Sequence, residues 1–213
     1  KFEIIFLHDD ICKNKKPLFW AKRLYARYSD SAHPKTGLPP WHHTSLREFG
    51  SANEPVPEYA LITRGSAGLL GNGGVAMLRI GEDLGKDGQY YRDSMLSHLK
   101  AYAKYAYIPK ENLLKNLLMN GTDLAEREKQ NKAKSGAPPS AAWQPWSPDP
   151  TTIIAYSICY KQSKNNTIWE TLKSMIKGNG LGNIGDPGGK NTKLNLRTDA
   201  SNALLIFPLV ELF

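Results

Sequence analysis

The chain has 213 residues, of which 40% are hydrophobic, 10% aromatic and 23% charged, enough apolar material for one large folded domain and too much for wholesale disorder. No apolar run approaches the roughly 18 residues that a bilayer span requires, and the opening run is too short and wrongly flanked for a signal peptide, so the sequence predicts a soluble protein with no membrane partner and favours the cytoplasm. The formal net charge of +8 predicts a polyanionic partner, because a basic surface concentrates such molecules around itself.

Lys1 to Leu7 reads as a buried strand that stops on His8, Asp9 and Asp10. Two carboxylates and an imidazole at a strand end are donors for a divalent cation, although neighbouring side chains on a strand point to opposite faces. A helix around Leu18 follows, with Trp20, Leu24 and Tyr28 at helical spacing. From Ser29 to Pro57 the chain is interrupted by Pro34, Pro39, Pro40, Pro55 and Pro57, which predicts a long structured loop carrying His42 and His43 as further metal-ligand candidates.

Glu58 to Thr63 and Val75 to Ile80 read as strands joined by a glycine-rich link. The clearest helix is predicted over Tyr90 to Tyr107, with Tyr91, Met95, Leu99, Tyr102 and Ala106 as its buried stripe. Arg92, Lys100 and Lys104 share another face beside Tyr105, an interleaving of cations and an aromatic that suits phosphates and bases. Pro109 opens a predicted second helix around Leu114. Residues 123–150 form an excursion made of a polar helix and a Pro-rich segment holding Trp143 and Trp146.

Thr151 to Tyr160 is apolar and β-branched and reads as a central strand. A helix around Leu172 follows, with Thr167 and Glu170 as a capping box. Gly180, Gly182 and Gly185 spell GxGxxG, but the run follows a helix and ends at Asp186-Pro187, so no nucleotide cofactor is expected. The same basic loop, with Lys190, Lys193 and Arg197, suits a phosphate backbone. Asn202 to Phe213 reads as a last strand, broken at Pro208. Cys12 and Cys159 lack metal-ligand spacing, and the sequence leaves open whether they pair.

The predicted architecture is a single α+β domain over 1–213, a mixed sheet of about five strands with four helices and long Pro/Gly-rich loops. The predicted function is nucleic-acid binding, RNA or DNA, through Arg92, Lys100, Lys104, Tyr105, Lys190, Lys193 and Arg197. A second reading is a metal-dependent phosphodiester hydrolase, with His8 and Asp10 catalytic and the metal on His8, Asp10, His42 and His43. Divalent metal is the one cofactor for which the sequence leaves room. A third reading is a structural subunit that docks a protein partner through Trp143 and Trp146.

Overall fold

The structure is a computed structural model that describes residues 26, 30, 32–39, 70–133, 143–195, 204 and 206–212. Within them the chain is mostly helical, with six helices and two small two-stranded sheets. Helices α1 (Asn72–Asp83) and α2 (Gln89–Tyr105) are joined by a 3₁₀ turn at Gly85–Gly88. Strands β1 (Tyr107–Ile108) and β2 (Leu113–Leu114) pair antiparallel, and α3 (Leu124–Ala133) follows. Helices α4 (Pro150–Ser163) and α5 (Asn166–Gly178) form a second hairpin. Strands β3 (Gly182–Asn183) and β4 (Lys193–Leu194) pair antiparallel ahead of α6 (Ile206–Leu212).

Helix α4 is the hub. It packs against α1, α2, α5 and α6, and every residue from Ile153 to Tyr160 except half-buried Ile154 is buried. Asp149 starts it by accepting a hydrogen bond from the Thr152 amide at 2.8 Å, and Pro150 fits the first helical position, where its missing N–H costs nothing. It ends where Lys164 turns left-handed at φ 52° and returns its amide to the Tyr160 carbonyl at 2.8 Å. Inside the core, the Tyr156 hydroxyl donates to the Leu99 carbonyl of α2 at 2.8 Å, and the Gln162 amide donates to the Leu78 carbonyl of α1 at 3.0 Å.

The mixed five-stranded sheet is thus replaced by helices. Val75 to Ile80 lies in α1, Thr151 to Tyr160 in α4, and Asn202 to Phe213 contains α6; Lys1 to Leu7, Glu58 to Thr63 and the helix around Leu18 lie outside the described residues. For Thr151 to Tyr160 the physical reason is that an apolar run buried on all sides has no polar face, so its period is invisible in the sequence. The helix around Leu99 is α2, and its predicted stripe is buried. The helix around Leu172 is α5, but Asn165 caps it, accepting from the Thr167 and Ile168 amides at 3.0 and 3.3 Å.

The helix expected around Leu114 is instead β1–β2. Asn112 sits at φ 52°, and the Leu114 and Trp146 backbones exchange hydrogen bonds at 2.7 and 2.9 Å, which pulls the leucines out of helical register. Trp146 is therefore buried within its own chain and Trp143 is half-buried, so the two tryptophans do not form an exposed docking surface. The GxGxxG glycines all have positive φ and shape the β3–β4 hairpin, where the Asp186 amide donates to the Lys190 carbonyl at 2.8 Å.

A tight turn at 32–39 covers the middle of α2. Its Gly37 amide donates to the His33 carbonyl at 2.8 Å, and the Thr36 hydroxyl reaches the Met119 carbonyl, tying it to the segment after β2. Beneath it lies His98, 2% exposed, with neither ring nitrogen hydrogen-bonded. Burial pushes its pKa down to about 4, opposed only in part by the nearby Gly37 backbone.

Two measurements check these packing claims. A Cβ on Gly88 would overlap the Gly81 carbonyl where α1 meets the turn into α2, so G88A should cost about 3 kcal/mol or more in urea unfolding, against about 1 kcal/mol for the lost cap in D149A. His98 is neutral in the fold down to about pH 4 but takes a proton near 6.5 when unfolded. The unfolded chain therefore binds more protons between those values, and stability should be full above pH 6.5 and fall as pH drops toward 4, by up to about 3 kcal/mol. An unfolding series over that range should show this slope in the wild type and lose it in H98Q; equal slopes would mean that another group carries it.

Candidate functional site

The sequence-predicted residues are divided by the fold. His8, Asp10, His42, His43 and Arg197 lie outside the described residues, and among those described no group of three His, Cys, Asp or Glu side chains is placed to hold a metal. Lys190 and Lys193 are exposed on the β3–β4 hairpin, while Arg92, Lys100, Lys104 and Tyr105 are all carried by α2. Their separations of 8, 4 and 1 residues put Lys100 and Lys104 one turn apart, with Arg92 roughly 12 Å before Lys100 at the helical rise.

Lys100, Lys104 and Tyr105 line one cavity of about 500 Å³. Its opposite walls are Thr167 and Thr171 of α5, and its rim is the 32–39 turn, which adds Lys35. Lys190 and Lys193 are not part of it. The sequence alone missed Lys35, Thr167 and Thr171. The signal for Lys35 was its place between Pro34 and Gly37, a residue pair that builds a tight turn; the threonines carried no signal apart from the start of α5.

The electrostatics of this cavity are lopsided. Arg79, Lys115, Lys129 and Lys161 all form ion pairs with acids, whereas among the described residues none is formed by Lys35, Lys100 or Lys104. The Lys104 ammonium lies 4.8 Å from the Tyr105 ring centroid, which holds it without neutralising it. Three exposed ammonium groups beside one concave surface repel one another unless an anion joins them, so the arrangement favours a ligand with several negative charges. The cavity continues along α2 through a smaller one of about 210 Å³ lined by Asp93, Leu96, Ser97 and Lys100. The hydroxyls of Ser97, Thr167 and Tyr105 add hydrogen-bonding groups to the cationic floor.

Residues 45–213 match the family model described as periplasmic pectate lyase. The match takes in all six helices, Lys100, Lys104 and both threonines, and it begins after the turn that carries Lys35. It overturns the nucleic-acid-binding and nuclease readings, the nucleic-acid partner and the cytoplasmic placement, because the family is described by a different polymer and a different compartment. With well over half of its length matched, this chain belongs to the periplasmic pectate lyase family.

Proposed function

We propose that the protein is a lyase that acts on pectate in the periplasm and gathers the polymer's carboxylates over Lys35, Lys100 and Lys104. Pectate is a chain of galacturonate units with one carboxylate on each sugar, so it is a polyanion as much as a nucleic acid is. The carrying observation is the set of three lysines, without an acidic partner among the described residues, lining one cavity in a chain of this family.

The charge serves the chemistry as well as the binding. A lyase breaks the glycosidic bond by elimination: a base takes the proton on the carbon α to the carboxylate, a carbon–carbon double bond forms, and the glycosidic oxygen on the β carbon leaves with its electron pair and is protonated. Removing that proton beside a full negative charge is costly, because the carbanion adds a second charge to the same group. Ammonium groups held against the carboxylate lower the cost, and they act most where charge accumulates in the transition state. Tyr105 and the threonines would hold the sugar ring through its hydroxyls.

Incubation with polygalacturonate should generate the ultraviolet absorbance of an unsaturated uronate, and the absence of that product would end the proposal. Reversing two cavity charges in K100E/K104E should raise KM by about tenfold at low salt, an effect that shrinks as ionic strength rises and the Debye length falls below about 10 Å. An unchanged KM in that variant would move the carboxylate contacts away from α2.

A further inference from the structure

A more enclosed cavity, of about 270 Å³, lies near the start of α2 and plays no part in the reading above. Gln89, Arg92 and Asp93 form one side of it, and Cys159, Gln162 and Ser163, at the end of α4, form the other. It is too small for a polymer and large enough for one sugar ring.

Its polar groups are set in complementary ways. The Arg92 guanidinium is held from behind by the Gly81 carbonyl and, at 2.7 Å, by Gln89 Oε1. Both acceptors are neutral, and among the described residues Arg92 forms no ion pair. A guanidinium has five N–H donors, so three remain for an anionic ligand. Gln162 is fixed through its amide nitrogen to the Leu78 carbonyl and forms part of the facing wall. Asp93 takes the Gln89 amide at 2.7 Å with one carboxylate oxygen, and its charge opposes a ligand that is anionic on every side. Burial pushes the Cys159 thiol up to about 12, which keeps that wall neutral.

We propose that this cavity binds one small hydroxy-carboxylate, its carboxylate on Arg92 and a hydroxyl donating to Asp93. Inorganic phosphate satisfies Arg92 but sets its charge against Asp93. A neutral sugar satisfies Asp93 but leaves the guanidinium unpaired. Only a molecule carrying both functions meets both, and a galacturonate unit is such a molecule. That last identification rests on the pectate reading; the hydroxy-acid chemistry does not.

Calorimetric titration of the full chain with galacturonate, galactose and inorganic phosphate tests it. Galacturonate should bind one per chain, with galactose and phosphate at least about tenfold weaker. Both R92K, which keeps the charge and loses the fork, and S163D, which puts a competing carboxylate into the cavity, should weaken galacturonate by about tenfold or more. Galactose or phosphate binding as well as galacturonate overturns the proposal. So does unchanged affinity in both variants, or loss of affinity only with a fallen unfolding midpoint in both. Polygalacturonate cleavage without galacturonate binding removes this site and leaves the lyase reading standing. Arg92-dependent galacturonate binding without any cleavage does the reverse.

Discussion

The described structure depends on the enclosure of α4. A helix apolar on every side can persist only if neighbours cover its whole circumference, and α1, α2, α5 and α6 supply that cover. Burying the side chains of Ile153, Tyr156, Ile158 and Cys159 is the main favourable contribution. The Tyr156 hydroxyl adds direction, because its bond to the Leu99 carbonyl fixes α4 against α2 at one height. Once that height is set, the end of α4 and the start of α5 stand opposite the polar face of α2, and the cavities form between them.

Polar chemistry is accordingly confined to the rim of this core. Thr167 and Thr171 reach one cavity from α5, while Gln162 and Ser163 reach the other from the last turn of α4, a division made by the short link through Lys164 and Asn165. Asn165 caps α5 with its own side chain, and Lys164 takes the left-handed conformation that lets the chain reverse. The two cavities thus lie on either side of one tight turn and are linked along α2 through Leu96, Ser97 and Lys100.

The charge of this chain shows how far a compositional argument reaches. A surplus of lysine and arginine identifies the sign of the partner and nothing about its chemistry, because an ammonium group meets a phosphate and a carboxylate through the same Coulomb attraction. Nucleic acid and pectate are alike in that respect. What separates them is the family match, together with surroundings in which hydroxyls outnumber the aromatic platforms that stacked bases would need.

The sequence by itself determined the sign of the surface charge, helix α2 with its buried Tyr91, Met95, Leu99 and Tyr102, and helix α5, because in each helix one polar face makes the period visible. It also placed Lys100 and Lys104 on one face of α2, since four residues is one helical turn. The tertiary structure decided the rest. Only enclosure distinguishes the run from Thr151 to Tyr160 as helix, because a segment wrapped by neighbours loses the polar face that would reveal its period. Only pairing with Tyr107, Ile108 and Trp146 makes Leu113 and Leu114 extended. Only folding brings Lys35 to Lys104 across 69 positions and Gln162 to Arg92 across 70, and a site built from distant segments has no spacing for a sequence to display.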